Sequence, residues 1–313
     1  MTLVSIKDLR SHFVTRDGLV KAVNKVSLDI SENETVGLVG ESGCGKTVLA
    51  LSILRLLSEN TVVEGEILFR GKDLLSMKED EMRTIRGKEI SQIFQNPLSS
   101  LNPVLTTGLQ VSEPFIVHKG MKISDAWDNA ISMLRSARIP SPVERGKEYP
   151  HQFSGGMRQR AMIAMGLACS PALIIADEPT KGLDVTIQVQ ILELMKELVK
   201  DRGASMLIIT HDLSVAAELC DRIAVMYSGE IVEISNIEDF FANPCHPYCK
   251  GFLMSLPLNG MKPIPGSSPS LINVPEGCRF HPRCENSWER CRKEHPGMYD
   301  TENGRKVRCF LYA

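Results

Sequence analysis

Gly40-Glu41-Ser42-Gly43-Cys44-Gly45-Lys46-Thr47 is the stretch that decides the fold of this chain. It fits the pattern G-x-x-x-x-G-K-[ST]. It also stands between a short stretch, residues 34–39, that predicts a strand, and residues 46–57, which predict a helix. Glycines let the backbone wrap so that successive N–H groups point at phosphate oxygens, and the helix N-terminus adds a favourable dipole. Lys46 is expected to reach the β- and γ-phosphates of a nucleotide, and the Thr47 hydroxyl to ligate Mg²⁺.

A second element completes that chemistry. Leu173-Ile174-Ile175-Ala176-Asp177-Glu178 reads as a buried strand ending in two acids. Asp177 is expected on the Mg²⁺ side of the site, with Glu178 next in line to orient or deprotonate an attacking water.

Around these anchors the chain is strand-rich over its first 70 residues, with strands expected at 4–9, 22–30 and 66–70. A charged helix near 78–86 and a strand at 90–94 follow. From about residue 96 to 170, turn residues give way to helical periodicity, which reads as an inserted helical subdomain, about 97–170. Alternation then resumes with a strand at 172–176, a helix at 187–200, a strand at 205–210, a helix at 213–219 and a strand at 222–226. Such alternation argues for an α/β fold with a parallel sheet covered on both faces. Residues 257–276 hold five prolines and only two charges, Lys262 and Glu276, and read as an extended linker. Residues 277–313 are too few to bury a core, and hold four cysteines; a segment of that size usually needs a metal or covalent staple.

Composition excludes several classes. With 36 Lys+Arg against 38 Asp+Glu in 313 residues, bulk electrostatic binding to nucleic acid is disfavoured. The longest apolar run, residues 161–176, is broken by Gly166, Ser170 and Pro171, so no membrane span is expected. MTLVSIKDLR lacks the features of a secretory signal. A cytoplasmic chain is expected, whose nine cysteines are thiols or metal ligands rather than disulfides.

Phe153-Ser154-Gly155-Gly156-Met157-Arg158-Gln159-Arg160 selects the branch. Ser154, Gly155 and Gly156 are expected to open a helix whose free N–H groups and hydroxyl form an anion site. The segment resembles the signature sequence of ATP-binding cassette (ABC) ATPases. Phe94-Gln95 resembles the family's loop whose glutamine contacts Mg²⁺ and water, Gly182-Leu183-Asp184 its D-loop, and His211 its switch histidine. The resemblance covers residues 1–256 and implies a phosphate-loop, RecA-like parallel sheet with an N-terminal antiparallel β subdomain. It also implies Mg-ATP hydrolysis between two cassettes, with Ser154, Gly155 and Gly156 docking on the nucleotide of the other subunit. Phe13 is the best-placed aromatic for stacking on adenine, or equally a strand core residue. Lys181-Gly182 replaces a more usual Thr-Ala-like pair. Cys44 reads as a small loop side chain, the alternative being a thiol whose pKa is lowered by neighbouring N–H groups.

Two further stretches narrow the resemblance. Residues 96–103 (NPLSSLNP) and 243–248 (NPCHPY) are similar to the oligopeptide/dipeptide importer ATPases, a group that also serves nickel and oligosaccharide uptake. Residues 277–284 (GCRFHPRC) resemble that group's tail domain. From spacing alone, Cys278, Cys284, Cys291 and Cys309 suit a [4Fe–4S] cluster or Zn²⁺ equally; the resemblance favours the cluster. Cys245 and Cys249, spaced i, i+4, share a face if that segment is helical and could bind metal, but they read as packing thiols; Cys169 and Cys220 read as core. The resemblance implies an ATPase at the cytoplasmic face of a membrane importer, paired with a second ATPase, a heterodimer being favoured over a homodimer. Two transmembrane permease subunits and an extracellular solute-binding protein would complete the machine. The permease contact is expected beside Gln95, between Asn96 and about Glu113. An export ATPase and a non-transport ABC machine are the competing readings.

Overall fold

The computed structural model describes residues 1–257, 260–301 and 304–313. The chain begins with β1 (Thr2–Thr15), β2 (Gly18–Ser31), β3 (Thr35–Val39), α1 (Lys46–Ile53), β4 (Thr61–Phe69), β5 (Lys72–Asp73), α2 (Glu79–Ile85) and β6 (Ile90–Ile93). Helices follow: α3 (Pro97–Ser100), α4 (Thr107–Lys119), α5 (Ile123–Ser136), α6 (Pro142–Arg145) and α7 (Gly155–Leu167). Alternation resumes through β7 (Leu173–Asp177), α8 (Val185–Asp201), β8 (Ser205–Thr210), α9 (Leu213–Leu219) and β9 (Arg222–Tyr227). The remainder carries β10 (Glu230–Asn236), α10 (Ile237–Ala242), α11 (Pro247–Met254), α12 (Glu289–Lys293), β11 (Tyr299–Asp300) and β12 (Lys306–Val307).

Two compact units result. One comprises Thr2–Ile30, Thr35–Leu75 and Ile209–Ala313, and so holds both the phosphate loop and the C-terminal tail. Its antiparallel layer has the strand order β2-β1-β4-β5, with Val4 opposite Phe69 and Phe13 opposite Thr61. A second layer runs β11-β12-β10-β9-β3; β3 and β9 are parallel, whereas β9, β10, β12 and β11 pair antiparallel. The parallel β3 is buried throughout its apolar residues, as a strand covered on both faces must be.

The strand β10 departs from the sequence expectation, which has no element there. Its sequence, EIVEISN, carries two acids, and both are buried. Each has built-in partners. Glu233 accepts the N–H groups of Cys245 and His246, at 3.0 and 2.6 Å. Glu230 accepts from Asn24 at 2.7 Å, pairs with Arg279 at 3.1 Å and meets His295 at 2.8 Å. Burial opposes its ionisation, but His295 and Arg279 prevail and leave its carboxyl below the usual range. Late in the proline-rich stretch, the Leu271 carbonyl accepts from the Lys21 N–H at 2.9 Å, which ties that segment to β2.

The other unit comprises residues 31–34 and 76–208, with Met1. Here β6 and β7 are parallel in the register Ile93↔Ala176, β8 lies beside β7, and the helices α3–α7 follow one another in the chain between β6 and β7. No described helix is long and apolar enough to cross a membrane.

Candidate active site

The phosphate loop leaves β3 at Gly40 and enters α1 at Lys46. Gly40, Gly43 and Gly45 have φ of 155°, 77° and 110°, conformations that a side chain would strain. Space is also absent: a Cβ would lie 2.1 Å from the Met226 carbonyl oxygen at Gly40 and 2.0 Å from that of Ala22 at Gly45. Strands β9 and β2 therefore pin the loop against the backbone. Lys46 is buried, and its Nζ donates to the carbonyls of Gly40 and Glu41 at 2.7 and 2.9 Å, so the ammonium is folded back over the loop. Cys44 is buried too. Burial pushes its thiol up, with Lys46 opposing; the lowered pKa weighed from sequence is corrected, and the residue is a small packed side chain. In the same unit, Phe13 is half-buried near the end of β1, and exposed His211 directly follows β8. Asp212 caps α9 by accepting from Ser214 N–H at 2.8 Å.

The second unit carries the acids. The parallel register of β6 and β7 makes their ends neighbours, so Gln95 meets Glu178 across 83 residues of sequence. Gln95 Nε2 donates to Glu178 Oε2 at 2.8 Å, and Lys181 Nζ stands 3.1 Å from the same oxygen. Glu178 has φ 44°, a left-handed conformation uncommon for glutamate, which turns the chain sharply off the strand. Asp177, just before it, is buried at the end of β7.

The segment at 153–160 folds as expected. Ser154 is the N-cap of α7 and accepts the Met157 N–H at 3.3 Å; Gly155 and Gly156 form its first turn. A Cβ on Gly156 would sit 2.8 Å from Ile187 Cγ2, so glycine is what lets α7 approach α8. Asp184 caps α8 by accepting from Ile187 N–H at 3.0 Å, which sets the D-loop-like segment beside the start of α7. Sequence reasoning missed Gln110. Its buried amide accepts the Asn102 N–H at 2.8 Å and donates to the carbonyls of Asn102 and Leu105, both at 3.0 Å, tying down the loop after α3. Nearby Phe94, Leu98, Val104, Leu105 and Leu109 stay exposed despite their size.

In the tail, Cys278, Cys284, Cys291 and Cys309 line one small cavity together with His246 and His281. Burial, with neighbouring Cys309, Cys291 and Cys284, pushes the Cys278 thiol up to about 12. Among the described residues, however, no group of three or more His, Cys, Asp or Glu is arranged to hold a metal. The expected metal-stapled tail is therefore not seen as ligand geometry, only as convergence. The tail adheres by other means: β12 pairs with β10, and Val307 and Cys309 pack with Cys245. Cys245 precedes α11 rather than sharing a helical face with Cys249, and both are buried. Cys169 and Cys220 are also buried thiols.

Fold and motifs thus describe a cassette ATPase with an appended tail, and comparison with known proteins agrees. The ABC transporter family profile matches residues 23–181, and that of the oligopeptide/dipeptide transporter C-terminal region matches residues 232–291. The chain belongs to the ABC transporter family and is an ABC ATPase. It is 46% identical to the oligopeptide transport ATP-binding protein AppD of Bacillus subtilis, over 99% of this chain and 97% of that protein. The dipeptide transport ATP-binding protein DppD of the same organism is 48% identical, over 99% and 94%. The oligopeptide transport ATP-binding protein OppD of Escherichia coli is 43% identical, over 98% and 93%. Among solved structures, the ATP-binding cassette MJ0796, as a post-hydrolysis dimer bound to ADP and Pi, superposes with a TM-score of 0.68. It is 30% identical, over 75% of this chain and 98% of that one.

Proposed function

We propose that this chain is the ATP-hydrolysing subunit of a membrane importer for dipeptides or oligopeptides. The observation that carries the reading is the union, in one chain, of the cassette with the oligopeptide/dipeptide transporter C-terminal region, along full-length peptide-transport relatives. In this reading ATP binds at residues 40–47 and its base stacks on Phe13. Thr47, Gln95 and Asp177 are a hard oxygen donor set, which suits Mg²⁺. Bound there, Mg²⁺ neutralises phosphate charge. Glu178, held by Gln95, takes the proton of the attacking water, and His211 senses the γ-phosphate. Ser154, Gly155, Gly156 and Asp184 face a second ATPase subunit, preferably a different chain. Two ATP molecules are sandwiched as the pair closes, and closure moves two permease subunits.

The permeases sit against the exposed apolar side chains around Leu98, Val104 and Leu109, which fits a protein-docking surface. That assignment puts the chain at the cytoplasmic face of the membrane, with a solute-binding protein outside. The deciding experiment reconstitutes the chain with its permeases and second ATPase in liposomes. A peptide-loaded binding protein is expected to raise ATP hydrolysis several-fold. Stimulation by a nickel complex or oligosaccharide, or by none of these, would overturn the peptide assignment.

We also propose that Cys278, Cys284, Cys291 and Cys309 hold a [4Fe–4S] cluster as a structural staple, with Zn²⁺ as the alternative. Support comes from their shared cavity and from a tail too short to bury its own core. Chain purified without oxygen is expected to be brown, with about four irons and four sulfides per chain. Colourless protein with about one zinc would make the tail a zinc clip.

A further inference from the structure

The turn between Cys278 and Cys284 reaches the phosphate loop with two arginines. Arg283, whose side chain is only 7% exposed, places Nη1 and Nη2 each 3.1 Å from the two carboxylate oxygens of Glu41. The fork is held from behind. Arg283 Nε donates to the Pro265 carbonyl at 2.9 Å, and Nη1 donates to Ser268 Oγ at 3.2 Å and to Tyr227 Oη at 3.3 Å. Ser268 donates to the same Glu41 carboxylate, and the Glu41 N–H donates to the buried Tyr248 hydroxyl at 3.1 Å. The second arm is Arg279, which pairs with Glu230 and donates to the Ser228 carbonyl; the adjacent Gly229 N–H donates to the Cys44 carbonyl at 2.9 Å. Phe280, between them, packs its ring 5.2 Å from that of Tyr227 and 5.5 Å from that of Tyr248. The loop is thus gripped at Glu41 and Cys44.

Glu41 is a negative charge inside a loop whose N–H groups must attract a triphosphate. Unpaired, it would repel the phosphates and compete with them for the loop's own N–H donors. A bidentate guanidinium cancels the charge and fixes the carboxylate in one orientation, which a lysine does not do. We propose that Arg283 is a positioning residue for the nucleotide: it neutralises Glu41 and holds the first half of the phosphate loop open to ATP. The tail is then part of the nucleotide site rather than an appendage. The inference rests on residues 40–47 being the ATP site.

The test is equilibrium titration of the full chain with a non-hydrolysable ATP analogue, alongside thermal melts. Arg283→Gln is expected to weaken binding about tenfold, the scale of one uncompensated charge a few ångströms from a bound anion. The double variant Glu41→Gln/Arg283→Gln is expected to return to within about threefold of the parent, because the repelling charge is gone. A role limited to docking the tail predicts no such rescue. Unchanged affinity in Arg283→Gln, or a double variant as weak as the single one, overturns the proposal. If Arg283→Gln does not fold, the double variant decides alone: parent-like affinity supports the proposal, and tenfold weaker binding overturns it. A parent chain whose affinity is indifferent to Lys46→Ala would instead remove the ATP-site reading, and this inference with it.

Discussion

Replacing Glu178 by Gln is expected to lower ATP hydrolysis by about 10²–10⁴-fold while ATP still binds. The structure makes this substitution unusually clean. Gln95 Nε2 donates to Glu178 Oε2 at 2.8 Å, and an amide oxygen still accepts that bond, though less strongly than a carboxylate does. The ion pair with Lys181 weakens, but Lys181 is 55% exposed and contributes little. The backbone at φ 44° strains glutamine no more than glutamate. What disappears is the capacity to accept a proton, so the loss falls on the chemical step. The proposed ATP-bound pair should then accumulate, because hydrolysis no longer reopens it. Single-turnover rates and gel filtration with ATP check both halves. Hydrolysis within about threefold of the parent would remove Glu178 from the role of base.

The second large effect is expected from Ser154→Arg. Ser154 is exposed at the N-cap of α7, where its hydroxyl accepts the Met157 N–H. Arginine deletes that cap, at about 1 kcal/mol of stability, which a folded chain of this size tolerates. It also puts a long side chain on the surface assigned to the partner's γ-phosphate. ATP-driven pairing should vanish and hydrolysis fall roughly 10²-fold, whereas ATP should still occupy the phosphate loop of the same chain. Analytical ultracentrifugation of Glu178→Gln with and without Ser154→Arg reads this directly. Persistence of the ATP-dependent dimer would defeat the sandwich arrangement.

Much of the scaffold is legible in the sequence. Strand β8 and helix α9 fall on the expected residues, because apolar continuity and 3.6-residue periodicity are local properties. Helix α1 was overextended by four residues: it ends at Ile53, with Arg55 at φ 51°. Strand β10 was invisible, since two acids in seven residues argue against a buried strand until Arg279, Asn24 and the N–H groups of Cys245 and His246 are known to receive them. The sheet is therefore mixed where a parallel one was expected. Several of the tail's cations have partners that its composition does not reveal: Arg279 and Arg283 face Glu230 and Glu41, and Arg308 donates to the Ile231 carbonyl.

The local elements of the proposed nucleotide site are written in the sequence alone, because a loop of forced φ angles, a capped helix start and an acid-ended apolar strand each depend on residues adjacent in the chain. Family and broad function followed from the order of those pieces. Only the tertiary structure decided which distant residues serve them. Gln95 meets Glu178 through the parallel register of β6 and β7, and Arg283 meets Glu41 across 242 positions. Neither pairing leaves a local trace, since the energy of a hydrogen-bonded charge depends on distance and burial, and those come from packing rather than from neighbours in sequence.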